Sequence, residues 1–230
     1  MASNPITRIQ RNILAAGERR LLTWIAARLP MSVTPDRLTT LGFFGAVGVG
    51  AGFALSTFNH AWLWFAVACF FINWFGDSLD GSLARFRKIE RPDFGYFIDH
   101  STDALGNLFI VGGIGLSPYV RLDLALVGLA AYLLLSIHTF LAARVIDEFN
   151  LTYLAGGPTE MRLLLIALAI AMYFVGPHPL LGFTSDHAAA GWSAGLTVFD
   201  GVIGIMTTIL LLIFVVQTAR LGNRLRRRGR

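Results

Sequence analysis

An uncharged run constrains this chain of 230 residues more than any other feature: residues Leu38 to Gly76 contain no Lys, Arg, Asp or Glu. One helix that crosses a membrane needs only ~20 apolar residues, so the run is long enough for two. Asn59 and His60 interrupt it near its middle. The run therefore predicts two membrane spans, at about 38–57 and 61–84.

Further apolar segments follow and predict four more spans: Phe94–Leu116, Leu122–Arg144, Met161–Val175 and Thr197–Leu221. Only 14% of the residues are charged, against about 25% in soluble domains. A soluble helical bundle would have too few charges to cover its surface. Apolar and polar residues do not alternate, which favours helices over a membrane barrel. The sequence thus predicts an all-α membrane protein with six transmembrane helices.

Basic residues predict the orientation of these spans, because cytoplasmic segments of membrane proteins are enriched in Lys and Arg. They gather in the N-terminal segment, after span two, between spans four and five, and in the tail: Arg8, Arg11, Arg19, Arg20, Arg28, Arg37; Arg85, Arg87, Lys88, Arg91; Arg144, Arg162; Arg220, Arg224, Arg226, Arg227, Arg228, Arg230. The opposite loops hold only Arg121. We therefore expect an integral protein of the bacterial inner membrane with both termini cytoplasmic.

The net charge of +5 suits a surface of anionic membrane lipid. Retention of basic residues in the cytoplasm also explains the Arg-rich tail, so no nucleic-acid partner is expected. Residues 4–28 mix apolar and Arg positions, which is typical of an amphipathic helix lying in the interface. The predicted organisation is an interfacial segment at 1–30, a six-helix domain at 31–222 and a basic tail at 223–230. Cys69 is the only cysteine, which excludes an intrachain disulfide and a multi-cysteine zinc site.

Four carboxylates lie at the ends of apolar segments, where they are costly: Asp77, Asp80, Asp99 and Asp103. Ionisable groups within membrane segments generally mark a functional site. Four close carboxylates repel one another unless cations hold them. An oxygen-only set of this kind suits Mg²⁺ or Mn²⁺.

The spacing of these carboxylates indicates that they converge. Residues at helical spacing share one face, and two such faces are present: Asp77, Asp80, Gly81 and Ala84 on one helix, and Gly95, Asp99 and Asp103 on the next. The small residues leave room for a ligand beside the carboxylates. Arg85 follows directly and is a potential bidentate donor to phosphate.

The motif Asp-x₂-Asp-Gly-x₂-Ala-Arg-x₉-Gly-x₃-Asp-x₃-Asp, from Asp77 to Asp103, resembles the signature of the CDP-alcohol phosphotransferases. The gap between Arg85 and Gly95 is slightly longer than is usual in that family, and it lies in a predicted loop. Thr34, Pro35 and Thr39 also resemble the family's opening of span one, with Asp36 in place of the usual Asn. The resemblance covers roughly residues 30–220.

The resemblance implies a six-helix membrane enzyme, usually a homodimer, that uses Mg²⁺ or Mn²⁺. Such an enzyme transfers a substituted phosphoryl group from a CDP-linked donor to an alcohol or lipid acceptor and releases CMP. The implied metal ligands are Asp77, Asp80, Asp99 and Asp103. Asp103 would also act as the base, with His100 as the rival candidate. The implied nucleotide-binding residues are Gly81, Ala84, Arg85 and Gly95.

The sequence resembles two branches of the family and does not select between them. Asp99, His100 and Asp103, with residues 157–160, resemble the aminoalcohol phosphotransferases, which act on diacylglycerol. The short chain is more similar to bacterial phosphatidyltransferases that use CDP-diacylglycerol and a small polar acceptor. Candidates for the acceptor side are His138, Arg144, Glu160 and Arg162. Structural roles also fit these residues, since His138 would be hydrogen-bonded in the bundle and the two arginines would anchor the topology.

Two other classes of protein are compatible with the carboxylates. An intramembrane prenyltransferase also uses Asp-rich clusters with Mg²⁺, but it usually has two widely separated motifs rather than one motif around a short loop. A transporter with a carboxylate cation site would favour carboxylates near the middle of the membrane. The position of this motif at the predicted cytoplasmic edge argues against a transporter.

Overall fold

The computed structural model describes residues 7–9, 15–146, 148–150, 158–179 and 196–228. Helices dominate these ranges, and their order with the two short strands is β1 (Thr7–Ile9), α1 (Ala15–Ala26), α2 (Pro35–Leu55), α3 (Trp62–Arg87), α4 (Pro92–Gly115), α5 (Leu122–Ile146), β2 (Glu148–Asn150), α6 (Pro158–Val175) and α7 (Val198–Arg228). The predicted helical fold is confirmed for the described residues outside β1 and β2. These two strands pair in parallel, with Thr7 opposite Glu148.

Four helices are long and apolar enough to cross a membrane by length and composition: Pro35–Leu55, Trp62–Arg87, Leu122–Val145 and Val198–Arg227. Each of the six predicted spans corresponds to one helix, from α2 to α7. The helix α4 carries Asp99 and Asp103 along its length, which lowers its apolar character. Six spans therefore remain a prediction, with four spans supported by length and composition.

The ends of the helices follow local rules of chain geometry. Thr34 caps α2, where its hydroxyl oxygen accepts a hydrogen bond of 3.3 Å from the backbone N–H of Arg37, and Pro35 fits the first helical position. The helix α3 ends at Arg87 and is followed by the cap residue Lys88, which adopts a left-handed conformation with φ of 58°. The backbone N–H of the next residue, Ile89, bonds the carbonyl of Ala84 at 3.0 Å. This turn sends the chain back as α4, so both carboxylate-bearing helices meet at one end.

Close contact between α2 and α3 fixes the backbone position of Asp77, the first of the four carboxylate residues. A Cβ added at Gly42 would lie 2.9 Å from the backbone nitrogen of Asp77, and one added at Gly45 would lie 2.5 Å from that of Asn73. Real Cβ atoms do not tolerate backbone at such distances, so glycine is required at both positions. The backbone of α3 at Asn73 and Asp77 is thus held directly against α2.

The largest core cluster joins α2, α3, α4 and α6 with the starts of α5 and α7, and Phe53, Phe70, Ile114 and Met172 are among its most buried members. A second cluster joins α1 to α3, with Leu22 and Ala26 packed near Leu79 and Leu83. Within the predicted N-terminal segment, helix covers only Ala15–Ala26 of the described residues, and Thr7–Ile9 is a strand. The helical interpretation of residues 7–9 was therefore wrong, because strand pairing with a distant segment overrides their local pattern.

Candidate active site

Three of the four predicted metal ligands come together between α3 and α4. Carboxylate oxygens of Asp77, Asp99 and Asp103 all lie within 4.8 Å of one another, and the three residues are partly buried. Asp99 and Asp103 are one helical turn apart on α4, and Asp77 faces them from α3. The helical spacing of the sequence accounts for this convergence.

Asp80 lies outside that tight group and is held by hydrogen bonds of its own. Its Oδ2 accepts a bond of 2.5 Å from the Thr39 hydroxyl on α2, and its Oδ1 accepts one of 2.5 Å from the backbone N–H of Gly81. Asp80 is only 9% exposed, and it remains within electrostatic range of Asp77 and Asp99. The fourth carboxylate is therefore beside the cluster, with its orientation set from α2.

Arg162 on α6 reaches the carboxylates from the opposite side. Its Nη2 forms an ion pair with Asp77, and its Nε donates a hydrogen bond of 2.9 Å to Oδ1 of Asn73. The amide of Asn73 in turn donates a bond of 3.0 Å to the carbonyl of Gly42. Arg162 also lies within electrostatic range of Asp103. Among the acceptor-side candidates, Arg162 thus contacts the carboxylate cluster directly.

The donor set fits a hard divalent cation. One guanidinium faces three clustered carboxylates, so negative charge remains in excess at the site. Oxygen-only, carboxylate-rich sites of this kind suit Mg²⁺ and Mn²⁺ better than softer metals. Partial burial makes the mutual repulsion of the carboxylates stronger than it would be in water, which favours a bound cation further.

The residues predicted to bind nucleotide border open space. A Cβ added at Gly95 would meet nothing within 4 Å, and one added at Gly81 would meet only the guanidinium of Arg85, at 3.3 Å. Arg85 is exposed, and its Nη2 donates a bond of 3.3 Å to the Ser82 hydroxyl. Ala84 is partly buried on the same helix. The small residues therefore leave room next to Asp80 and within reach of a flexible arginine.

His100 is engaged on α4 and α5. Its Nδ1 lies 2.8 Å from the backbone carbonyl of Tyr96, and because a carbonyl can only accept, Nδ1 carries the proton. The same nitrogen is 3.9 Å from Oδ2 of Asp99. Its ring lies 4.4 Å from the ring of Tyr96 and 5.1 Å from that of Phe140, between centroids. This arrangement holds the imidazole beside the carboxylates through one nitrogen.

The remaining acceptor-side candidates lie elsewhere. His138 is buried between α5 and α7, where its Nδ1 is 3.2 Å from the Thr218 hydroxyl. Arg144 is exposed in the last turn of α5. Glu160 is partly buried in the first turn of α6. The cavity beside the carboxylates is lined, among the described residues, by none of these three.

That cavity begins at Asp77, Asp103 and Arg162 and continues between the helices toward the other end of the bundle. Its lining passes along α4 as far as Ile114, a distance of ~16 Å from Asp103 at the helical rise per residue. Beyond the polar mouth the walls are mainly apolar, with Ile110 and Leu129 among them. The site therefore joins a charged end to a long apolar interior.

Sequence reasoning missed several residues of this site. Asn73 precedes Asp77 by one helical turn, so its spacing alone could have pointed to it. Tyr132 also lines the cavity, but an aromatic residue in an apolar helix carries no distinguishing signal. Thr39 was noted only as part of the opening of span one, and its contact with Asp80 was not predicted because the two residues are 41 positions apart along the chain.

The apolar helices, with a carboxylate cluster and an arginine between them, indicate a membrane protein that has a charged site within its helical bundle. The chain belongs to the CDP-alcohol phosphatidyltransferase family, which it matches over residues 32–212. The family resemblance of the motif is thereby confirmed. The family and the four apolar helices together identify an integral membrane protein.

Two curated relatives are similar to part of the chain. A phosphatidylinositol phosphate synthase of Cutibacterium acnes is 38% identical over 103 residues, which cover 44% of this chain and 47% of the relative. An archaetidylinositol phosphate synthase of Pyrococcus horikoshii is 35% identical over 94 residues, covering 40% of this chain and 46% of the relative. The aligned part thus spans about half the length of each relative.

Proposed function

We propose that this protein transfers a phosphatidyl or related substituted phosphoryl group from a CDP-linked donor to an alcohol and releases CMP. The observation that carries this proposal is the cluster of Asp77, Asp99 and Asp103 within 4.8 Å, next to open space at Gly81 and Gly95. Family membership supports the same reaction class.

Each group of residues has a defined part in the proposed reaction. Asp77, Asp80, Asp99 and Asp103 would hold one or two Mg²⁺ or Mn²⁺ ions. When bound, such ions neutralise the charge of the pyrophosphate and stabilise developing charge on the leaving group. Gly81, Ala84 and Gly95 would accommodate the nucleotide, and Arg85 would bind its phosphates.

The chemical step is a substitution at the phosphorus atom that carries the transferred group. A bond forms between the acceptor oxygen and that phosphorus, and the bond from the phosphorus to the CMP oxygen breaks. The hydroxyl proton passes to Asp103, the base of the proposed reaction. His100 is the alternative base, although its bond to the Tyr96 carbonyl occupies one nitrogen.

We infer that the acceptor is a polar alcohol with an anionic group, such as an inositol phosphate, and that the donor is of the CDP-diacylglycerol type. Arg162 supports this choice, since a guanidinium at the carboxylates provides a partner for a phosphate on the acceptor. The names of the two relatives point in the same direction.

A second candidate is transfer of an aminoalcohol phosphate from CDP-choline or CDP-ethanolamine to diacylglycerol. The apolar cavity favours it, because a lipid acceptor would place a hydrocarbon chain between α4, α5 and α7. In the first candidate the same cavity would hold a chain of the donor lipid. The two candidates differ in which substrate carries the lipid.

The proposed setting is the cytoplasmic side of a bacterial inner membrane. We propose six spans from α2 to α7, an interfacial segment at 1–30, a catalytic domain at 31–222, a basic tail at 223–230 and a homodimer. The exposed Arg19 and Arg20 on α1 support an interfacial position, and the distribution of basic residues supports the cytoplasmic site.

The test is CMP release by purified protein with Mg²⁺ or Mn²⁺. One arm supplies CDP-diacylglycerol with inositol phosphate, inositol, glycerol phosphate or serine, and the other supplies CDP-choline or CDP-ethanolamine with diacylglycerol. CMP together with the matching lipid product supports the proposal and selects the branch. Release of pyrophosphate from a prenyl diphosphate instead would indicate a prenyltransferase, and cation flux into vesicles without any CMP would indicate a transporter.

A further inference from the structure

One carboxylate outside the predicted motif ties three helices together. Oε1 of Glu18, in the first turn of α1, accepts hydrogen bonds from Trp74 Nε1 at 2.8 Å and from the Ser78 hydroxyl at 3.3 Å, both on α3. The same oxygen accepts a bond of 2.8 Å from the Thr159 hydroxyl on α6. All three donors are neutral, so a single oxygen of the acid joins α1, α3 and α6.

The residues that bond Glu18 lie next to the residues that Arg162 contacts. Trp74 and Ser78 are one helical turn apart on α3, and each directly follows a partner of Arg162, namely Asn73 or Asp77. Thr159 and Arg162 are likewise almost one turn apart on α6. Two neighbouring connections therefore join α3 to the start of α6. One passes through the carboxylate of Glu18, and the other through the guanidinium of Arg162.

The packing of α1 on α3 fixes the position of Glu18. Glu18, Leu22 and Ala26 follow each other at four-residue spacing and share one face of α1. Leu22 and Ala26 are 6% and 1% exposed and pack in the cluster with Leu79 and Leu83. The apolar part of this face docks α1 on α3, which sets the carboxylate of Glu18 at the junction with α6.

We propose that Glu18 is a positioning residue that holds the start of α6, and with it Arg162, against Asp77. This inference rests on the proposed function, because the role of Arg162 is to bind the anionic group of the acceptor. Loss of the Glu18 oxygen leaves the Thr159 end of α6 free to separate from α3. Arg162 then loses its fixed approach to the site while the carboxylates on α3 and α4 stay in place.

Hydrogen exchange measures how firmly Glu18 holds the start of α6, and it does not require the protein to be active. In Glu18→Ala, amides in the second turn of α6, the first ones bonded within the helix, should exchange at least about tenfold faster than in the wild type, as a hold on that helix end is lost. Thr159→Val should have the same effect, and Glu18→Gln should restore slow exchange because its amide oxygen still accepts. The matched control is Thr23→Ala on α1, whose hydroxyl bonds only the carbonyl of Arg19 in the contacts described. Unchanged α6 exchange in Glu18→Ala would overturn the proposal.

Kinetics then test positioning against general stability. Glu18→Ala should raise the KM for inositol phosphate at least about tenfold, with kcat and the KM for CDP-diacylglycerol changed less than about threefold. The effect should disappear in an Arg162→Ala background, because Glu18 acts through that guanidinium. An equal effect with and without Arg162 would overturn the proposal. If the wild type releases no CMP from any donor, the proposed function fails, and a positioning role in that reaction fails with it. Hydrogen exchange still decides whether Glu18 holds the start of α6 against α3.

Discussion

The Thr39 hydroxyl on α2 donates a hydrogen bond of 2.5 Å to Oδ2 of Asp80 on α3. Asp80 is nearly buried, so this bond orients a carboxylate that has little water to pair with. The helix α2 thereby contributes to the site in two ways, through the Thr39 hydroxyl and through the close approach of Gly42 to the backbone of Asp77.

Removal of this bond should impair the site without unfolding the protein. Leaving a buried acceptor unpaired costs about 1–3 kcal/mol, and in Thr39→Val we expect CMP release to fall about tenfold and the Mg²⁺ concentration for half-maximal activity to rise. Thr40→Val is the matched control, because the Thr40 hydroxyl bonds the Asp36 carbonyl at 2.8 Å and not a carboxylate. Equal losses in the two variants would show that the Thr39–Asp80 bond has no special role.

Divalent cations should support both turnover and stability. A ligand at 100 times its Kd stabilises the folded state by about 2.7 kcal/mol, and the clustered carboxylates are further relieved of their repulsion. Addition of EDTA should therefore abolish CMP release and lower the Tm in detergent. Excess Mg²⁺ or Mn²⁺ should restore both, whereas Ca²⁺ should restore Tm more fully than turnover. Full activity in excess chelator would refute the proposed metal site.

The two candidate bases are separable by substitution. Asp103→Asn keeps the shape but removes the proton acceptor, so we expect turnover to fall on the order of 10²-fold or more with donor binding largely retained. His100→Ala should have a smaller effect, since Asp103 belongs to the carboxylate cluster whereas the His100 ring packs between Tyr96 and Phe140. An active Asp103→Asn together with an inactive His100→Ala would assign the base to His100. If both variants fail to bind donor, the two residues hold the site rather than act as bases.

The arginine at the cluster should be sensitive to a change that keeps its charge. In Arg162→Lys the ammonium can still pair with Asp77, but the second bond, from Nε to Asn73, is lost. We expect the KM for inositol phosphate to rise about tenfold while the KM for CDP-diacylglycerol is nearly constant. Arg121→Lys provides the control, because Arg121 pairs with the exposed Asp123 at the other end of the bundle. An unchanged KM in Arg162→Lys would remove Arg162 from the acceptor site.

Membrane topology is open to cysteine labelling in a Cys69→Ala background. Phe58 lies 83% exposed in the turn between α2 and α3, and Glu90 lies exposed between α3 and α4. Phe58→Cys should react with an impermeant reagent added outside intact cells, and Glu90→Cys only after the membrane is opened. The reversed pattern would contradict a cytoplasmic active site. The loop at 182–192, also expected to label from outside, lies outside the described residues.

Local spacing explains which parts of the site were accessible from sequence. Asp77, Asp99 and Asp103 were predicted to converge because helical periodicity places them on facing sides of two consecutive helices, and they do lie together. Charge alone made Arg162 a candidate, but its partner Asp77 is 85 positions away. No local rule specifies a contact at that distance, and the same holds for Glu18 with Thr159, which are 141 positions apart.

The fold shows the same limit. Apolar segments predicted the helices well, and α5 begins at the predicted Leu122, because burial in an apolar phase demands that each segment satisfy its own backbone hydrogen bonds. The pairing of Thr7–Ile9 with Glu148–Asn150 was not predicted. A strand of three residues is too short to show a recognisable alternation of apolar and polar residues. Its pairing depends on how the packing of distant helices places the two segments.

The glycine contact between α2 and α3 has a consequence for how this protein can be repurposed. A side chain at Gly42 or Gly45 would strike the backbone of α3 at 2.9 or 2.5 Å. One at Gly128 on α5 would meet only side-chain atoms, of Thr207 at 3.0 Å and Ile203 at 3.7 Å, and one at Gly204 on α7 would meet nothing within 4 Å. The contact of α2 with α3 is thus closed to larger residues at these two positions, whereas α5 and α7 have more room at Gly128 and Gly204. Laboratory evolution toward new substrates should accumulate its changes on α5 and α7, where the walls of the cavity can be reshaped one residue at a time without moving the carboxylates.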